Sequence, residues 1–128
     1  MNLLVDTHVF LWLVNRSAEI SQRHIDIVND DSNTIHLSVV SIFEIATKWR
    51  IGKLALPQQF QNTLTGIYKD YGYLPMPLLV PHADLAGRLP GTHKDPFDRL
   101  LAAQAIVEDM AIMTIDARIA DLGARVVW

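Results

Sequence analysis

Thr34-Ile35-His36-Leu37-Ser38-Val39-Val40-Ser41-Ile42-Phe43-Glu44-Ile45-Ala46-Thr47-Lys48-Trp49-Arg50-Ile51-Gly52 changes its period part-way along. Thr34–Val39 is β-rich. From Val40 onward the apolar side chains Ile42, Ile45, Ala46 and Trp49 take the i, i+3, i+4, i+7 spacing of one helix face, and Gly52 supplies a stop. A strand feeding directly into an amphipathic helix is half of a crossover unit, and the same alternation extends in both directions. Further β-rich runs lie at Leu3–Asp6, Tyr73–Pro77, Ala111–Ile115 and Arg125–Trp128. Helical stretches lie at Thr7–Asn15 and Ser21–Asn29, and others open at Pro57 (to about Asp70), Pro81 (to about Leu89) and Pro96 (to about Asp109). Strands separated by helix-length segments require crossover connections and a mainly parallel sheet covered on both faces. The expected fold is therefore α/β: a three-layer α/β/α sandwich with a mainly parallel four- to five-stranded sheet, forming a single domain over residues 1–128.

Composition agrees with that size. Of 128 residues, 50% are hydrophobic and 20% charged, enough apolar content for one core without disorder. The absence of cysteine excludes a disulfide framework, a thiolate metal site and a cysteine nucleophile. The longest apolar run, Val9–Val14, is far short of a membrane span. Asp6 and His8 precede the first basic residue, Arg16, which is the wrong order for a secretory signal, so a cytoplasmic location is expected. The formal net charge of −3 is unevenly spread: Ser32–Lys69 carries +3, from Lys48, Arg50, Lys53 and Lys69 against Glu44, leaving −6 elsewhere.

In parallel sheets of this kind ligands bind beyond the carboxyl ends of the strands, where strand order reverses. Asp6 ends the first β-rich run and Asp116 follows the fourth; Glu44 sits near the start of the helix after the second, and Asp98 lies in the first turn of the helix opening at Pro96. Each has a purely structural reading. Asp6 and Asp116 can cap the helices that follow them, and Glu44 and Lys48 are spaced as a helix surface pair. Asp95 is well placed as the N-cap before Pro96. Capping does not explain why four acids gather at one sheet edge. Clustered carboxylates repel unless a cation neutralises them, and hard oxygen donors suit Mg²⁺ or Mn²⁺.

Asp6-Thr7-His8-Val9-Phe10-Leu11-Trp12 resembles the opening motif of PIN-domain proteins, in particular the VapC-type toxins of type II toxin–antitoxin pairs. Ser38–Lys48, running on to Gly52-Lys53-Leu54, is similar to the family's second motif. Leu89-Pro90 with His93–Ala105 resembles the third, and Thr114-Ile115-Asp116 the fourth. The set occurs in family order across nearly the whole chain and departs from it at Phe43, where a larger aromatic is expected before the glutamate. The resemblance implies a Mg²⁺-dependent endoribonuclease, with Mn²⁺ as an alternative, that hydrolyses RNA phosphodiester bonds with metal-activated water. It also implies metal-site and catalytic acids at Asp6, Glu44, Asp98 and Asp116, with supporting hydroxyls from Thr114 and Ser41. A homodimer, a cognate antitoxin and an RNA substrate are the implied partners. Lys48, Arg50, Lys53 and Arg99 are candidates for holding the RNA backbone.

His8, His24, His36, His82 and His93 show no metal-ligand spacing and are read as core, cap or surface residues; Trp12 and Trp49 are read as packing. No phosphate-binding glycine loop and no Gly-x-Ser-x-Gly elbow is present. The aromatic-rich stretch Pro57–Tyr73 is expected to place part of itself against a second subunit or the antitoxin. Two rival readings are an aspartate-based phosphotransferase or phosphatase of the haloacid-dehalogenase type and a catalytically silent PIN-fold binding module. The first wants a second acid two residues after Asp6, where this chain has His8.

Overall fold

The computed structural model describes residues 1–128. Five strands, β1 (Asn2–Val5), β2 (Thr34–Ser38), β3 (Leu74–Met76), β4 (Ala111–Met113) and β5 (Arg125–Val127), form one sheet in the order β3-β2-β1-β4-β5, and every pairing is parallel. Seven α-helices accompany them: α1 (Thr7–Val14), α2 (Gln22–Asn29), α3 (Val39–Arg50), α4 (Ile67–Tyr71), α5 (Val80–Arg88), α6 (Pro96–Val107) and α7 (Ala117–Asp121). Side chains alternate between the sheet's two faces. Leu3, Val5, Ile35, Leu37 and Met113 join one apolar cluster with Phe10, Ile45 and Ile67. Leu4 and Ile112 point into a second, with Leu101, Ala102, Ala105 and Ile119. The central strands β1, β2 and β4 are therefore covered on both faces, which is why they read as nearly continuous apolar runs, while the edge strands β3 and β5 are largely exposed. No helix is long and apolar enough to cross a membrane.

Local chemistry sets most helix ends. Ser38 accepts from the Val40 amide at 3.0 Å and opens α3. At the other end Gly52 adopts φ +76°, and the Gly52→Trp49 and Lys53→Lys48 backbone bonds close a Schellman turn that only a residue tolerant of positive φ completes without strain. His24 and His82 serve as caps: the Nδ1 atoms accept the Ser21 and Leu79 amides at 3.2 and 3.0 Å. Trp12 and Trp49 pack, partly buried, against the larger cluster.

One expected element differs. In place of a continuous helix from Pro57 to Asp70, the chain makes a 3₁₀ turn at Gln58–Phe60, an irregular stretch, and then the short α4. Thr63 Oγ1 accepts the Thr65 amide, so a side chain offers the backbone a local partner that competes with a helical ladder, and Gly66 follows at once. Gln61 Nε2 ties the turn back to the Leu56 carbonyl. Of the apolar residues of this stretch, Phe60, Leu64, Ile67 and Tyr73 are buried in this chain's own core, whereas Tyr71 is 37% exposed.

Candidate metal centre

The chain builds β1, β2 and β3 outward to one edge of the sheet, then returns to lay β4 on the other side of β1. The reversal lies between β1 and β4, and the residues immediately after these two strands are Asp6 and Thr114-Ile115-Asp116. The Asp6 amide donates to the Met113 carbonyl at 3.1 Å, which fixes the two strand ends together. Thr114 Oγ1 then bridges them through side chains, donating to Asp6 Oδ2 at 2.6 Å and accepting from the Asp116 amide at 3.0 Å. Ser41 Oγ lies 2.7 Å from Thr7 Oγ1, both buried, and so pins the start of α1 to α3. The α3 helix so placed carries Glu44, whose charge acts on Asp6.

Each of the four acids has its own partner. Asp6, 4% exposed, is held by Thr114. Glu44, equally buried, accepts from Lys48 Nζ at 2.7 Å. Asp98 Oδ2 is 2.8 Å from His93 Nε2, and Asp116 receives both Nε and Nη2 of Arg118 at 3.0 and 2.9 Å. Ligand-type atoms of His93, Asp98 and Asp116 all lie within 4.8 Å of one another. Around a single ion with bonds of ~2.1 Å, neighbouring octahedral ligands stand about 3.0 Å apart and opposite ones about 4.2 Å, so this group needs only small side-chain movements to share a cation. Asp6 and Glu44 do not join that group. They are coupled to it through charge: Glu44 acts on Asp6, and Asp6 on Asp98. A donor set dominated by carboxylate oxygen fits a hard divalent ion.

Helix capping and site chemistry share the same residues. Asp6 accepts the His8 amide, although at a long 3.4 Å, and Asp116 accepts the Arg118 amide at 2.9 Å. Asp95 caps α6 through the Phe97 and Asp98 amides at 2.9 and 3.3 Å, and by ordering that first turn it presents Asp98. Of the basic candidates, Arg50 and Lys53 are exposed at the end of α3, and Lys48 is engaged with Glu44. Arg99 differs from the expectation. Its guanidinium donates to the carbonyls of Ala86 (2.9 Å), His93 (3.0 Å) and Leu89, because α5 and the loop after it close over the start of α6.

Two residues at the site escaped the sequence reading. His93 lacks metal-ligand spacing along the chain and so reads as a structural histidine, yet the loop before Pro96 folds it over the first turn of α6 and onto Asp98. Arg118 stands two residues after Asp116, a spacing that in a capped first turn brings the side chain back to the cap.

Burial raises the Asp6 carboxyl above the ordinary carboxylate range; the Glu44 charge adds to this, while Thr114 and His8 oppose it. Asp98 is raised for the same first reason, with the charges of Asp95 and Asp6 adding and the His93 hydrogen bond opposing. Asp116 is lowered, chiefly by the Arg118 side chain. The signs follow from linkage. With raised folded values, Asp6 and Asp98 hold protons that the unfolded chain has released, so their contribution to stability falls as pH rises from the ordinary range through those values. Asp116 works oppositely, contributing stability above its ordinary pKa that is lost as pH falls through the lowered value. Burial and the Glu44 charge thus both act against the ionised form of Asp6, so its charge costs the fold stability. Removing a charge whose main cost is burial, with repulsion from Glu44 added, should make Asp6→Asn more stable by about 1 kcal/mol. That corresponds to a rise in Tm of roughly 3–6 °C in EDTA. Added Mg²⁺ should raise the wild type more than the variant and close the gap. Differential scanning fluorimetry reads both. A variant that melts lower in EDTA and responds to Mg²⁺ as wild type does would make Asp6 a cap alone.

A family model described as the PIN domain matches residues 3–124. The chain belongs to the PIN-domain family. Solved structures share its fold over almost the whole length. A chain of VapBC2 from Rickettsia felis, bound to a DNA fragment from its promoter, superposes with a TM-score of 0.73 at 14% identity, covering 99% of this chain and 98% of that one. DNA-bound VapBC from Salmonella typhimurium gives 0.68 at 16% identity, with 99% and 97% covered. FitAcB from Neisseria gonorrhoeae gives 0.65 at 17% identity, with 98% and 96% covered. Among proteins of curated function, none matches this chain significantly. At such identities the shared property is the PIN fold itself, with its carboxylates at the β1/β4 reversal supplied by this chain's own sequence.

Proposed function

We propose that this PIN domain is a divalent-metal-dependent endoribonuclease, using Mg²⁺ or Mn²⁺, and acts in the cytoplasm as the toxin of a toxin–antitoxin pair. The observation that supports the reading is the position of Asp6 and Asp116 directly after β1 and β4, with ligand-type atoms of Asp98 and Asp116 within 4.8 Å and Glu44 acting on Asp6 through charge. An ion held there by these carboxylates would neutralise charge developing on a phosphodiester and make a nearby water more acidic. The chain's own residues do the rest. Thr114 fixes the Asp6 carboxylate, Asp95 orders the turn that presents Asp98, and the Ser41–Thr7 pair sets α3 with Glu44 against β1. Arg50 and Lys53, with Lys48 when it leaves Glu44, would track the RNA backbone as positive charge beside an acidic centre.

The VapBC complexes among the fold relatives, which belong to a family of toxin–antitoxin systems, support an antitoxin as the protein partner, as do exposed apolar side chains such as Phe43 (64% exposed, on α3) and Val80 (82% exposed, at the start of α5). A homodimer would cover surface of the same kind. The phosphotransferase reading gains nothing from the geometry, since the residue two after Asp6 is the exposed His8.

The test is cleavage of single-stranded RNA by purified protein freed of any partner, with matched DNA as control. RNA should be cut only with Mg²⁺ or Mn²⁺, EDTA should abolish the reaction, and products should bear 5′-phosphate and 3′-hydroxyl ends because water, and not the ribose 2′-hydroxyl, attacks. Ends bearing 2′,3′-cyclic phosphate, or cleavage that survives EDTA, would overturn the mechanism.

A further inference from the structure

His93 lies on the loop between α5 and α6, and its imidazole Nε2 sits 2.8 Å from Asp98 Oδ2, the two side chains only 10% and 13% exposed. The backbone around it is held with unusual redundancy. Arg99, the residue after Asp98, spends its fork on the carbonyls of Ala86 and Leu89 at the end of α5 and on the carbonyl of His93 itself. One guanidinium thus ties the incoming helix, the loop and the first turn of α6 together. That clamp fixes the His93 backbone at the point from which the imidazole reaches the Asp98 carboxylate. A carboxylate on an exposed helix turn would rotate about its last torsion and offer either oxygen in many directions. Here one oxygen is occupied by an N–H donor, and the Asp98 backbone is fixed at the same time by the Asp95 cap.

We propose that His93 is a positioning residue for the metal centre: its Nε2–H holds Asp98 Oδ2 so that Oδ1 is presented to the ion, and Arg99 holds His93. Hydrogen-bond donors behind ligating groups act this way generally, and their loss costs metal affinity without removing a ligand. The inference rests on the metal-dependent reading above, and the experiment separates the two.

Mn²⁺ and Mg²⁺ are titrated into the full chain by calorimetry, with folding of each variant checked by circular dichroism in EDTA. His93→Ala should weaken both ions in step, by ~10–100-fold. His93→Gln, whose amide nitrogen falls near the place of Nε2 and still donates, should stay within about threefold of wild type. If the alanine variant does not fold, His93→Asn takes its place, because the shorter amide keeps the loop polar but does not reach Asp98; the same weakening is expected. Wild-type affinity in His93→Ala or His93→Asn would overturn the positioning role. So would failure of His93→Gln to restore affinity together with a selective loss of Mn²⁺ over Mg²⁺, since that pattern belongs to an imidazole bound directly to the ion. A wild-type chain that binds neither ion would instead overturn the metal-dependent reading itself.

Discussion

Asp98→Asn should reduce RNA cleavage by two to four orders of magnitude, whereas Asp95→Asn, three residues earlier, should retain most of it. The two acids differ in what surrounds them. Asp98 is largely buried, bonded to His93 and within 4.8 Å of an Asp116 ligand atom; Asp95 is exposed and spends its Oδ1 on the Phe97 and Asp98 amides. Asparagine keeps the shape of Asp98 but removes the negative charge that would hold the ion. Losing ~3–5 kcal/mol of charge stabilisation at the reacting phosphate is the quoted loss of rate. At Asp95 the same change preserves the capping oxygen, and asparagine caps helices about as well as aspartate. Initial rates on one RNA substrate at saturating Mg²⁺ give the comparison. Equal loss in the two variants would show that the cap and the site are a single unit. Loss at Asp95 alone would move the third acid of the site to that position.

Arg99→Ala should lower the melting temperature by roughly 10 °C, a loss of about 2–3 kcal/mol, and leave the salt dependence of RNA binding unchanged. The guanidinium is part-buried and donates to three backbone carbonyls, all of which lose their partner together. Lysine should rescue little, since one ammonium on a flexible stem does not reproduce a planar fork that meets Ala86, Leu89 and His93 at once. Lys53→Ala is the complementary variant. Lys53 is exposed past the end of α3 and bonds only through its backbone amide, so stability should hold. If it meets a phosphate, the slope of log affinity against log salt should fall by about one. Thermal melts and binding at several salt concentrations make the test. An Arg99→Ala variant that keeps its melting temperature and loses salt slope would restore Arg99 to the RNA-binding surface.

The expected fold class is the one observed, for reasons that can be traced to particular residues. Thr34–Ser38 and Val39–Arg50 form where the period changes, Ser38 and Gly52 bound the helix by local backbone chemistry, and Asp95-Pro96 opens α6. Such signals act within a few residues and survive in any context. Pro57–Asp70 shows the limit of the same reasoning. Its apolar spacing suits a helix, but the Thr63 hydroxyl and Gly66 break the ladder, and the core accepts Phe60, Leu64 and Ile67 from an irregular backbone just as well.

The candidate site divides along the same line. That acids stand at strand ends and helix starts is legible in one dimension, because a strand's polarity and a helix's first turn are local properties that Asp6, Glu44, Asp98 and Asp116 display in the chain. Which of them meet, and which groups hold them, follows from packing alone. The β1/β4 pairing brings Thr114 onto Asp6 across 108 positions of chain. Closure of α5 over α6 turned Arg99 inward and laid His93 on Asp98. Hydrogen bonds between side chains require distances held to within a few tenths of an ångström by the packing of distant segments, and no spacing along the chain encodes them.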